Sequence, residues 1–154
     1  TAAYVDEIPP FIAFGERVTA TGQVISGMSG VERVEWWLRS MTEDSRHLQD
    51  DDPELLAAPW QSCELFPPPD WSAVLPAGVE PATILGFDRQ TGEPSSWPMR
   101  FGMASWSAAL PDLPRGKYEF RARSVDLNGY AQPEPRPAQK SGHNAIQVRA
   151  FDVV

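Results

Sequence analysis

The stretch from Gly116 to Pro137 reads GKYEFRARSVDLNGYAQPEPRP and decides the fold. It opens with side chains that alternate between two faces: Tyr118, Phe120, Ala122 and Ser124 on one, and Lys117, Glu119, Arg121 and Arg123 on the other. A period of two is typical of a strand, and a helix would mix these two groups. The pattern therefore predicts a strand with one face on a core and the charged face in water.

The residues after this strand predict how it ends. Asp126-Leu127-Asn128-Gly129 combines side chains that bond to nearby backbone with a glycine that accepts positive φ, so we expect a tight turn. Prolines 133, 135 and 137 follow and remove backbone donors. They predict an extended, edge-like return of the chain.

The rest of the chain supports an all-β fold. Similar patterns predict strands at about 16–26, 31–39, 60–66, 100–110 and 144–153. Six or seven short strands with little helix are typical of an antiparallel β-sandwich. The predicted core consists of Val18, Ala20, Val24, Val34, Trp36, Leu38, Trp60, Trp106, Tyr118, Phe120, Ala122, Ile146 and Val148.

Length and charge limit the classes of function. The 154 residues suffice for one well-buried core, so we expect a single domain over residues 1–154. The net charge of −8 argues against a nucleic-acid partner, which needs a basic surface. No apolar run approaches the ~20 residues that span a bilayer, so no membrane partner is predicted. Cys63 is the single cysteine, which excludes an internal disulfide and leaves the compartment open.

Two long segments interrupt the strand pattern. Residues 40–59 contain Asp50-Asp51-Asp52-Pro53, which predicts the start of a short helix. The acids could instead bind a cation such as calcium, although the spacing of a calcium loop is missing. Residues 67–98 are rich in proline and glycine, and we expect an ordered excursion held by its large apolar side chains: Trp71, Leu75, Ile84, Phe87 and Trp97.

A set of residues along the chain resembles one known family. The set comprises Val-Glu-Arg-Val-Glu at 31–35, Glu64-Leu65, and Trp60, Trp106, Gly116, Arg121, Asp126, Gly129, Gln132, Pro133 and Asn144. It resembles the C-terminal dimerisation domain of the sulfite oxidase family of molybdopterin oxidoreductases. The most specific part is the tail, where Arg-Ala-x-Ser-x-Asp is followed by Asn-Gly, Gln-Pro and Asn-Ala. The first half of this tail also occurs in many bacterial immunoglobulin-like modules.

The resemblance implies an immunoglobulin-like sandwich that is not catalytic by itself. It implies a homodimer and a preceding molybdopterin-binding domain that carries the molybdenum, with no cofactor in this domain. The family's cysteine ligand is not carried over to Cys63, which we interpret as a small buried residue. Periplasmic or other export is slightly favoured by the same resemblance. The two insertions depart from the family and could extend the dimer contact, cover the catalytic domain or serve another partner.

Independent signs of chemistry are weak. His47 and His143 lack neighbours at zinc-ligand spacing, and neither a Gly-x-Ser-x-Gly elbow nor a phosphate-binding glycine loop occurs. His143 lies in a polar loop, where it is a weak candidate for binding an oxyanion. An alternative function is a free-standing immunoglobulin-like module that binds a protein or a carbohydrate through Trp71 or Trp97.

Overall fold

The computed structural model describes residues 1–133 and 144–154, and over these residues the fold is all-β, as predicted. The strands are β1 (Ala2–Glu7), β2 (Phe11–Ile12), β3 (Thr19–Ile25), β4 (Arg33–Met41), β5 (Gln61–Ser62), β6 (Glu64–Leu65), β7 (Met103–Ala109), β8 (Gly116–Val125) and β9 (Gln147–Val153). Short helical turns are α1 (Pro53–Leu56), α2 (Trp71–Val74) and a 3-10 turn at Pro81–Thr83.

The strands form two sheets that pack face to face. The first sheet has the order β1-β3-β7-β6, and the second has the order β2-β9-β8-β4-β5. All pairs are antiparallel except β2 with β9. The chain crosses from one sheet to the other five times. Two of these crossings, from β1 to β2 and from β5 to β6, join an edge strand of one sheet to an edge strand of the other, so both lateral edges of the sandwich are bridged.

Aromatic rings fill the space between the sheets. Phe120 stacks on Trp36 at 5.9 Å and on Trp106 at 6.4 Å between ring centroids, so rings from both sheets meet in the centre. Gly22 makes room for this stack, because a Cβ atom there would lie 2.3 Å from the Trp106 ring and 2.0 Å from the Tyr4 carbonyl oxygen. The prediction that the Phe120 face of β8 points into the core is confirmed.

The opposite face of β8 corrects a prediction. We expected its charged side chains in water, but Glu119 and Arg121 are buried. The cause is residues 42–60, here named the cap segment, whose Leu48 and Leu55 pack with Trp37 of β4 in a second apolar cluster. The predicted alternation of side chains in β8 is confirmed. Its outer face is buried because the cap segment, which is distant in the sequence, packs over it.

The local structure of the cap segment follows the sequence. Asp52 caps α1 by accepting a hydrogen bond from the Glu54 backbone N–H at 2.9 Å, and Pro53 occupies the first turn, as predicted. Asp50 accepts from the backbone N–H of Ile146 at 3.3 Å, which ties the cap segment to the chain before β9. The acids of this segment thus serve the fold.

Three other predictions need correction. The single strand predicted at 60–66 is two strands in different sheets, because the chain crosses at Cys63. In β9 the residues that enter the central core are Phe151 and Val153, whereas Val148 lies half-buried on the opposite face. Residues 2–7 form β1, which the sequence did not predict, since this stretch lacks a long alternating pattern.

Residues 67–98 form an ordered excursion, as expected. Trp71 makes edge contacts with Phe87 and Trp97, at 5.0 and 6.2 Å between ring centroids. Phe87 is buried, while Leu75 and Ile84 are half-buried. The three aromatic side chains among those predicted to hold the segment together therefore contact one another.

Candidate functional site

The turn after β8 is built around one buried carboxylate. Asp126 accepts hydrogen bonds from the backbone N–H groups of Asn128 at 2.8 Å and Tyr130 at 3.0 Å. Gly129 closes the turn with a φ of +83°, as the sequence predicted. Burial alone would raise the pKa of Asp126, but the hydrogen bonds from Tyr130 and Asn128 outweigh it and lower the pKa below its usual value. This motif residue stabilises the turn.

Gln132 connects three separate parts of the chain. Its buried side-chain oxygen accepts from the backbone N–H of Ala3 at 2.9 Å and of Ser124 at 3.3 Å. Its side-chain nitrogen donates to the Ala145 carbonyl at 2.8 Å. The Gln-Pro motif therefore fixes β1, β8 and the approach to β9, and its peptide bond to Pro133 is cis.

The remaining motif residues also have structural positions. Trp106 is fully buried and donates from its indole nitrogen to the Gln23 carbonyl at 3.1 Å. Asn144 donates from its side chain to the Thr1 carbonyl. Trp60 donates to the Leu55 carbonyl at 3.1 Å within the cap segment, and Gly116 is the first residue of β8. Each of these residues connects elements of the fold.

The outer face of the second sheet, under the cap segment, is here named the capped face. Arg121 pairs with Glu119 at 2.5 Å and donates to the Leu48 carbonyl at 3.1 Å. Farther along β8, the Arg123 guanidinium pairs with Glu35 of β4 at 2.8 Å. The same guanidinium lies 4.0 Å from the centroid of the Trp60 ring. These pairings compensate the cost of removing the charges from water.

A cavity of about 790 Å³ opens between the cap segment and the β8–β9 pair. Arg121, Gln132 and Ile146 line it, and the first two are already engaged in the hydrogen bonds given above. Pro133 and Ala145 also line it.

The described residues contain no group of three or more His, Cys, Asp or Glu side chains placed to hold a metal ion. Cys63 packs against the central core, and burial raises the pKa of its thiol to about 12. A thiol with this pKa stays protonated at neutral pH and is a poor nucleophile. His47 is exposed in the cap segment, and the weak candidate His143 lies outside the described residues, as do prolines 135 and 137.

The two tryptophans considered as ligand platforms lie together in the 67–98 excursion. Trp71 and Trp97 are both half-buried, and their rings contact each other edge to face. Trp97 also donates to the Phe66 carbonyl at 2.7 Å and packs on the central core. Part of each ring is therefore used by the fold.

The outer face of the first sheet differs from the capped face and is here named the free face. Its two central strands present eight uncharged side chains: Thr19, Thr21, Gln23, Ile25, Met103, Ser105, Ser107 and Ala109. All eight are exposed or half-buried, and Tyr4 extends the face at the β1 edge. This surface was not predicted, although the alternation of side chains in β3 and β7 contained the signal.

Comparison with known proteins gives no match, either among family models or among curated proteins. None of the helices in the described part of the chain has the length and apolar character needed to cross a membrane.

Proposed function

We propose that this chain is an immunoglobulin-like accessory domain that pairs two subunits of a molybdopterin oxidoreductase resembling sulfite oxidase. By itself it is not catalytic. The strand order supports the immunoglobulin-like part of the proposal. If β1, β3, β4, β6, β7, β8 and β9 are lettered A to G along the chain, the first sheet has the spatial order A-B-E-D and the second contains the neighbours C, F and G.

The contrast between the two outer faces of the sandwich is the observation that supports the pairing of two subunits. The chain has a net charge of −8, so most contacts between two copies would bring like charges together. The central strands of the free face carry no charge, so repulsion between two copies that meet there is limited to the edges of the face, where Glu7 pairs with Thr21 and Glu64 with Ser107. The capped face is occupied by the chain's own residues 42–60.

A second copy also fits the free face by symmetry. A two-fold axis would place the same uncharged side chains on both sides of the contact, which is the commonest arrangement in soluble oligomers. Hydroxyl and amide groups such as those of Gln23 and Ser105, which bond each other at 3.1 Å, can form further hydrogen bonds across such a contact.

The test uses the native polypeptide from its own gene, with its mass, molybdenum content and oligomeric state measured together. Thr21→Arg places a charge at the centre of the free face, and we expect a monomer that retains molybdenum. Gln90→Arg, at an exposed position in the excursion, is the control and should leave the dimer intact.

Each outcome decides one part of the proposal. A dimer that survives Thr21→Arg would exclude the free face as the contact. A native polypeptide of about 17.1 kDa without molybdenum would contradict the oxidoreductase assignment and favour a free-standing binding module.

A further inference from the structure

An apolar surface lies at one end of the sandwich, where three loops meet. It is here named the apolar tip, and its members are large hydrophobic side chains that are all exposed: Ile25, Met28, Phe101, Met103, Leu127 and Tyr130. Met28 is 76% exposed and Phe101 is 75% exposed. Single exposed hydrophobic residues are ordinary, but a contiguous group of this kind marks an interaction site.

Contacts between the loops make the tip one surface. The turn after β3 touches the turn after β8, because a Cβ atom on Gly30 would lie 2.5 Å from Leu127 Cδ1. The same position is 3.8 Å from Arg100 Nε in the turn before β7. Ser26 donates its backbone N–H to the Gly102 carbonyl at 2.9 Å, which joins the first and third of these loops.

Phe101 adopts a backbone conformation that aromatic residues rarely use. The turn from Met99 to Gly102 is closed by a hydrogen bond of 3.1 Å, and Phe101, its third residue, has a φ of +60°. Glycine or asparagine is usual at a position with positive φ. The Phe101 side chain gains little burial within this chain, and strained residues of this kind cluster at functional sites.

The first residue of the chain lies beside the tip. Thr1 accepts a hydrogen bond from the Ser124 hydroxyl at 3.1 Å and another from the Asn144 side chain. Its backbone nitrogen would be 3.3 Å from a Cβ atom on Gly27, in the turn that carries Met28. Chain that precedes Thr1 in a larger polypeptide would therefore emerge next to Met28.

We infer that the apolar tip is the docking surface for the preceding domain of the same polypeptide. The inference rests on the proposed function, which supplies that domain. The occupant is an apolar patch on the preceding domain that receives Phe101 and Met28. Contacts between domains of one chain typically bury about 600–1,500 Å² in total, and six large side chains from three loops and the adjoining ends of β3 and β7 suit a contact of that class.

Hydroxyl-radical labelling of the native polypeptide tests the inference, because it compares two phenylalanines within one molecule. Phe101 and Phe14 are both exposed in this chain, and Phe14 lies at the opposite end of the sandwich, where its backbone N–H donates to the Val154 carbonyl at 2.8 Å. We expect Phe101 to be labelled several-fold less than Phe14. Labelling of Met28 should fall in parallel.

A second copy could also cover part of the tip, since Ile25 and Met103 belong to the free face as well. The labelling is therefore repeated on the Thr21→Arg monomer. Protection of Phe101 that persists there supports the preceding domain as occupant, whereas protection that disappears with the dimer overturns the inference.

Failure of the inference and failure of the proposed function give different results. A longer, molybdenum-containing polypeptide in which Phe101 is labelled as strongly as Phe14 overturns the inference alone. A polypeptide no larger than 17.1 kDa overturns the proposed function, and the inference with it.

Discussion

The two outer faces of the sandwich are both formed by strands with alternating side chains, but their surroundings differ. The cap segment covers one face, and the other face is open. The capped face carries charged side chains, yet Glu119 and Arg121 are buried under the cap segment. The free face carries hydroxyl, amide and apolar side chains, and its residues remain exposed or half-buried. Polarity along a strand therefore does not indicate which face meets water, because a distant segment can supply ion-pair partners and an apolar cover.

Removing one member of the buried pair on the capped face should have the largest effect. Arg121→Met leaves Glu119 buried without its cation, and we expect the free energy of unfolding to fall by about 3–5 kcal/mol. Denaturant unfolding measures this change. The double variant Arg121→Met/Glu119→Leu removes both charges and should recover most of the loss. A single variant as stable as the parent would show that this pair is hydrated.

Truncation of the apolar anchor of the cap segment should have a similar or smaller effect. Leu55 is buried in the second cluster, so Leu55→Ala should lower the free energy of unfolding by about 2–5 kcal/mol. Amide hydrogen exchange should then be faster in the cap segment than in β3 and β7. Leu56, its exposed neighbour, provides the matched control, and Leu56→Ala should cost about 0.5 kcal/mol or less. Equal costs at both positions would contradict the burial assigned to Leu55.

Asp126 differs from the acids of the capped face, because backbone N–H groups and not a cation stabilise its carboxylate. Its pKa is lowered in the folded state, so its contribution is present above the unfolded-state pKa of about 3.9 and is lost as the pH falls through the folded-state value. Asp126→Asn keeps an acceptor oxygen but cannot titrate. We expect a flatter dependence of stability on pH below about 4 in denaturant melts. An unchanged acid dependence would mean that Asp126 is not stabilised by the turn.

Charging the free face should have the smallest effect on folding. Thr21→Arg should change the free energy of unfolding by about 0.5 kcal/mol or less, because the outward side chain is not packed in the core. Thermal unfolding of the monomeric variant checks this. A large loss of stability would show that the free face supports the fold, and loss of pairing could then not be attributed to the contact alone.

Much of the sandwich follows from local sequence. The alternation of β8, the turn at Asp126 and the cap at Asp52 are each determined by residues within a few positions of one another, and all three were predicted correctly. The inward face of β4, with Val34 and Trp36, was predicted from the same periodicity. Such features need no knowledge of the rest of the chain.

The surfaces could not be predicted in the same way. Leu48 and Leu55 follow no strand pattern, so nothing local indicates that they cover β8. Val148 and Phe151 lie on opposite faces of β9, as the alternation of the sequence indicates. Only the position of β9 in the sheet shows that Phe151 is the residue that enters the core. The apolar tip could not be predicted, because it combines three loops that are far apart in the sequence. Its position beside Thr1 is likewise known only from the folded structure.

The bridged edges of the sandwich have a consequence for aggregation. An open edge strand invites pairing with a strand of another molecule, and proteins oppose this with short edges, bulges and prolines. Here β2, β5 and β6 have two residues each, β1 is interrupted by an irregularity between Val5 and Glu7, and prolines follow at 9–10 and 67–69. Uncontrolled strand addition is therefore opposed at both sides of the fold. In the proposed two-fold contact on the free face, two copies would meet through side chains, so neither sheet would be extended into a fibre.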